Sequence, residues 1–213
     1  MRNKKMLSLI LTGAILTGIA GIASAADLAI APLSVASDKQ VVQGAVKEEK
    51  VLVLRGEWIK ETAHQVSAEA NGEKVDKDDV TWSVDSDSYK DEFGFTGKLT
   101  GDDIVSVDAK TGKITAKKSG IVRVWCTSSS NPEDKSSVVV VVPGDVNRDG
   151  VVDLEDVMVV FDYANGDEPE AMALAEENTA MYQFELANMA TDDVIDLEDA
   201  MAIMDVANGD AAI

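Results

Sequence analysis

The sequence predicts two folded modules of different class, an all-β sandwich followed by a small all-α unit built from a duplicated loop and helix. Three observations carry this. Residues 151–167, VVDLEDVMVVFDYANGD, return as residues 194–210, VIDLEDAMAIMDVANGD, identical at eleven of seventeen positions, the mark of an internal repeat. Between residues 51 and 142, short β-branched runs alternate with glycine-containing turns, the pattern of small antiparallel β domains. The charge changes at the same place: residues 143–213 carry nineteen Asp or Glu against one basic residue, Arg148, while residues 1–142 carry twenty acidic and eighteen basic.

In chain order, Arg2, Lys4 and Lys5 precede the apolar run from Met6 to Ile22, and Ala23-Ser24-Ala25 supplies the small residues of a cleavage site. Residues 1–25 are therefore expected to be a secretory signal peptide, with residues 26–50 a lead-in to the first domain. Secretion places the mature chain outside the cell. The single cysteine, Cys126, leaves no intramolecular disulfide, so a small domain needs another staple, and a metal ion is the usual alternative.

Residues 51–142 form the β domain. Strands are expected at Val51 to Leu54, Val80 to Val84, Ile104 to Val107, Lys113 to Ala116, Ile121 to Cys126 and Ser137 to Val142, with turns at Ala109 to Gly112 and Lys118 to Gly120. Alternation puts Val122, Val124 and Cys126 on one face and Ile121, Arg123 and Trp125 on the other. Cys126 then reads as a core residue, because the one histidine, His64, stands in no cysteine–histidine arrangement. Tyr89 to Asp103 interrupts the strand spacing and carries Tyr89, Phe93 and Phe95. Loop aromatics either stack on a sugar or protein partner or fold back to cap the sandwich.

Residues 143–213 form the acidic unit. GDVNRDG opens a twelve-residue loop in which calcium ligands come from positions 1, 3, 5, 7, 9 and 12, with glycine at 6. Counting places them on Asp145, Asn147, Asp149, the Val151 carbonyl, Asp153 and Asp156, with Gly150 at the turn. In the second copy Asn188, Asp192, the Val194 carbonyl, Asp196 and Asp199 match, but Ala190 replaces a ligand and Asp193 stands where glycine is expected. That loop either binds calcium weakly or keeps its shape without the metal. A β-branched run and Pro143-Gly144 precede the first loop, so no helix enters it. Each loop feeds one helix, the F-hand half of a helix-loop-helix pair, with a further helix expected around Glu170 to Met189.

A duplicated calcium loop followed by one helix, with Asp at the last ligand position and a GDVNRDG entry, resembles the dockerin family of cellulosome-type assemblies, over about residues 144–210. The series VTWSVDSD, IVSVDAKTGKITAKKSGIVRVWC and a closing valine-rich strand is similar to the bacterial immunoglobulin-like domain of the second group. These resemblances imply an immunoglobulin-like sandwich and a non-catalytic module that docks onto a cohesin of a scaffold or cell-surface protein, within a polysaccharide-degrading assembly. They place partner contacts on Leu154, Glu155, Phe161 and Asp162, or their counterparts Leu197, Glu198, Met204 and Asp205. The alternative for Leu154 and Leu197 is that they open their helices facing the core.

No enzyme is expected: the carboxylates are accounted for by the loops, and no nucleophile stands beside a base. The acidic charge argues against nucleic acid and anionic membrane as partners once the leader is cleaved. Two rival functions remain, a polysaccharide-binding targeting subunit acting through the β domain and a calcium-stabilised spacer.

Overall fold

The computed structural model describes residues 34–37, 41–43, 50–54, 63–70, 73–172, 177–190, 192 and 194–211. The signal peptide, most of the lead-in and Asp193 lie outside the described residues. Among the described residues no helix is long and apolar enough to cross a membrane.

The β-branched runs pair into two sheets. Strands β1 (Ser34–Ser37), β4 (Ala63–Ala70), β8 (Lys113–Ala116) and β7 (Val105–Val107) form one in that order, with β5 (Glu73–Lys74) paired to β4. The other runs β2 (Val41–Gln43), β3 (Lys50–Val53), β10 (Lys135–Val142), β9 (Gly120–Ser128), β6 (Val80–Asp85). All pairs are antiparallel except β3 with β10, whose parallel register sets Val51 beside Val139 and Leu52 beside Val140. Every expected strand is present, the Ile104 to Val107 run shortened to begin at Val105.

The valine run explains why the centre of the second sheet is so apolar. Val138 to Val142 are all buried, and only a strand covered on both faces reads as a continuous hydrophobic run. Strand β9 departs from simple alternation for the same reason: Ile121 and Arg123 are buried along with Val122, Val124 and Cys126. The cover comes from two places. The interrupting segment folds into α1 (Ser88–Asp91) and α2 (Gly101–Ile104), and both pack on β9. Arg123 is satisfied there by an ion pair to Glu92, with its Nε donating at 2.9 Å. Helix α4 (Glu177–Ala187) packs on β10 and adds Tyr182 and Leu186 to the sandwich core.

The duplicated segments form α3 (Leu154–Ala164) and α5 (Leu197–Ala207). Each starts in a capping box written by its DLED. Asp153 accepts from the Glu155 amide while Asp156 accepts from the Asp153 amide, and Asp196, Glu198 and Asp199 repeat the arrangement; such boxes satisfy the orphan amides of a helix start. Equivalent positions from the two copies share a second core: Val146 with Met189, Val157 with Ala200, Val160 with Ile203. The middle helix, expected around Glu170 to Met189, is α4. Sandwich and helices belong to one compact unit, Ala31–Ile213.

Candidate calcium loop and helix ridges

Strand β10 delivers the chain into the first loop without a spacer. Ser119 Oγ donates to the Val142 carbonyl at 2.9 Å and accepts from the Asp145 amide at 2.6 Å, and the Gly144 amide donates to the Leu186 carbonyl. The loop then wraps around its own carboxylates. Asp145 Oδ1 accepts from the Asp149 amide at 3.1 Å and Oδ2 from the Gly150 amide at 2.9 Å. Asp156 Oδ1 accepts from the Val146 and Asn147 amides at 2.7 and 2.9 Å. Asn147 Oδ1 accepts from the Asp149 amide, and Asp149 Oδ1 from the Val151 amide. Two residues adopt the left-handed backbone that this winding needs, Arg148 at φ 65° and Gly150 at φ 93°.

Asp145 and Asp156 are both fully buried. Burial, then the Asp156 charge, pushes the Asp145 carboxyl up to about 7, against the pull of the Gly150 and Asp149 amides. Burial also raises Asp156, with the Asn147, Asp153 and Val146 amides opposing it. Two desolvated carboxylates in one loop are a cost that a bound cation would relieve. The donor set is hard oxygen with lone pairs to spare, since each carboxylate can accept about four bonds, and it suits calcium better than a softer metal. Among the described residues no three carboxylate, histidine or cysteine side chains already converge on one point; the loop oxygens are turned toward backbone amides instead. Asp153 serves as the cap of α3, and the Val151 carbonyl sits on an exposed residue.

The second loop keeps part of this arrangement. Asp199 accepts from the Ala190 and Asp196 amides, and Asp192 from the Val194 amide at 3.1 Å. Asn188, in the place of Asp145, is fully buried and donates through Nδ2 to the Asp192 carbonyl at 2.6 Å. Its Oδ1 has no hydrogen-bond partner. A buried amide oxygen left open costs about 1–3 kcal/mol, and it is a ligand type that calcium accepts.

The segment carrying Tyr89, Phe93 and Phe95 folds back, and all three are buried. They cap the sandwich and also grip the first loop. Tyr89 stacks on Phe95 with centroids 4.2 Å apart, and Phe93 meets Tyr182 edge-on at 5.5 Å. Arg148 reaches across: Nη1 donates to the Phe93 carbonyl at 2.7 Å, Nε to Gln183 Oε1 at 3.0 Å, and the guanidinium lies 5.7 Å over the Phe95 ring. The Thr96 amide donates to the Arg148 carbonyl at 2.9 Å. The role of Arg148 was missed in the sequence, although its being the one base in the acidic third was the signal. Burial lowers its basicity and the Asp145 charge raises it again. Burial, then Asp145, Asp149 and Asp103, holds the Tyr89 hydroxyl well above its ordinary acidity range.

The positions expected to touch a partner are placed as follows. Leu154 and Phe161 of α3 and Leu197 and Met204 of α5 are exposed, by 61%, 44%, 49% and 39%. Leu154 and Leu197 thus point to solvent and not to the core. Glu155, Glu198 and Asp205 are exposed and Asp162 is half-buried. Met158 and Met201 complete each row at 49% and 68% exposure, so each helix shows an apolar ridge at i, i+4 and i+7. Val157, Val160, Ala200 and Ile203 face inward.

No protein-family model matches this chain, and no curated protein does. Solved structures resemble it weakly. An intimin mutant of EHEC O157:H7 aligns at 16% identity and TM-score 0.26, over 51% of this chain and 45% of that one. A C-terminal fragment of intimin, solved in complex with the translocated intimin receptor's intimin-binding domain, aligns at 20% identity and TM-score 0.29, over 52% and 30%. Protocadherin gamma B2 extracellular cadherin domains align at 16% and 0.25, over 43% and 16%. The chain spans less than half the length of each.

These findings correct the dockerin resemblance. No family model, a dockerin's included, matches this chain, and the helical third is not a separate all-α module. Its three helices are eleven residues each; α4 completes the sandwich core, and the first loop is clamped by the sandwich's own aromatics. The expectation of a cohesin partner and a cellulosome rested on that resemblance and goes with it. The immunoglobulin-like expectation holds at the level of a two-sheet sandwich, and no family model adds the second group to it.

Proposed function

We propose that this chain is a secreted, non-catalytic binding protein, whose sandwich carries a pair of calcium-stabilised loop-helix repeats that present apolar ridges to a protein partner. The observation that supports it most is the duplication of the ridge. In both copies Leu, Met and a large apolar side chain stand exposed at the same three helix positions, while the inward positions already fill the shared core. Exposed apolar rows of this kind cost solubility and mark interaction surfaces. Methionine, at three of the six positions, suits an adaptable contact. Glu155, Asp162, Glu198 and Asp205 flank the ridges, so the surface they fit is apolar with a basic rim. Secretion rests on the leader sequence, and calcium on the buried oxygens of the first loop.

The polysaccharide-targeting alternative loses its best support, because the aromatics that would have stacked on sugars are buried. The test uses the protein without its leader as bait on cell-surface and secreted proteins of its source, beside a Met158→Asp, Met201→Asp variant. The wild type should retain a protein that the variant loses while the two keep the same circular dichroism. Equal retention by both, or retention of insoluble polysaccharide in place of protein, would overturn the reading.

A further inference from the structure

We propose that Tyr89 of the sandwich belongs to the cation site of loop 145–156, its hydroxyl serving as an outer donor that orients the ion's oxygen ligands; this rests on the calcium reading above. Tyr89 is fully buried, and its hydroxyl oxygen has no hydrogen-bond partner. A phenylalanine would fill the same place against Phe95 without leaving an oxygen stranded, so the oxygen marks a function that the packing does not explain.

The loop is where that oxygen points. It lies 3.1 Å from the position a Cβ on Gly150 would take, beside Gly97 and Leu99. Gly150 is the turn residue between Asp149 and Val151, two of the expected ligands, and its amide already binds Asp145. The approach is held from both sides: the Phe93 carbonyl and the Thr96 amide bind Arg148, and the Phe95 ring supports both Tyr89 and the Arg148 guanidinium. A phenol held over a loop of carboxylates can donate to a ligand oxygen or to a water on the ion. Groups in this position fix the geometry of the ligands and raise metal affinity. The sandwich thus supplies part of the site, which explains why an aromatic segment inside the β domain folds toward the acidic third.

The test is calorimetric titration of the full mature protein with calcium, as wild type and as Tyr89→Phe, with melting in chelator and near-ultraviolet difference spectra on both. Tyr89→Phe should bind calcium roughly tenfold more weakly and melt in chelator at the same temperature or higher. Calcium should perturb the tyrosine spectrum of the wild type more than that of the variant, which keeps Tyr163 and Tyr182. Wild-type uptake with equal affinities and equal spectra overturns this inference alone; no uptake by the wild type overturns the calcium reading and this inference with it. Should the variant melt early in chelator, the wild-type spectrum decides, and its indifference to calcium overturns the proposal.

Discussion

Gly97 of the sandwich lies directly against Gly150 of the first loop: a Cβ on Gly97 would stand 3.0 Å from the Gly150 Cα and run into the Asp149 carbonyl. Backbone meets backbone there because neither residue carries a side chain. Gly97→Ala should therefore push the loop off the sandwich, at a cost of about 1–3 kcal/mol from overpacking. Urea unfolding measures it, and a loss below about 0.5 kcal/mol would show that the two surfaces separate without cost.

The calcium-free protein should lose stability as pH rises. In the fold the Asp145 carboxyl stands at about 7 instead of its ordinary 3.8, so the native state holds that proton more tightly than the unfolded chain. The resulting stabilisation is complete below about pH 4 and is lost as pH climbs through about 7. In chelator, melting should be higher at about pH 5 than at about pH 8; calcium should narrow or reverse the gap, because it favours the ionised ligands. A melting temperature in chelator that climbs with pH would refute the assignment.

Neighbouring apolar residues on α5 should behave oppositely. Ile203 is fully buried, and Ile203→Ala should cost about 2–5 kcal/mol. Met204 is 39% exposed, and Met204→Ala should stay within about 0.5 kcal/mol. Similar losses at both positions, read from thermal melts, would mean that the ridge is part of the core.

Burial pushes the Cys126 thiol up to about 11, with Asp134 adding to it. The thiolate is the reactive form, so iodoacetamide at about pH 8 should label the native protein far more slowly than the urea-unfolded chain. Rapid native labelling would place Cys126 at the surface.

The strands rich in valine, isoleucine and tryptophan were legible because their side chains want a pleated, buried surface. Strand β4 was not: AHQVSAEA is alanine with polar residues, a composition that favours helix in isolation, and only pairing with β1 and β8 makes it extended. The loops announced themselves through spacing, since each carboxylate answers a backbone amide at a fixed offset. Their surroundings did not. That Tyr89, Phe93 and Phe95 close over residues 145–150 depends on a contact made across some fifty positions of chain, as from Thr96 to Arg148, and no local pattern encodes it. Local pattern also left Leu154 and Leu197 undecided, and the structure turns both outward because Val157 and Val160, with Ala200 and Ile203, already meet across the pseudo-repeat.

The parallel pairing of β3 with β10 has a mechanical consequence. Lys50 begins one strand and Val142 ends the other, and the two strands run side by side in the same direction. Tension pulling these two ends apart slides one strand along the other, so the rungs of the ladder share the load and must break together. A force applied between Lys50 and Val142 would load this pair in shear, where a hairpin pulled at its open end would unzip one bond at a time.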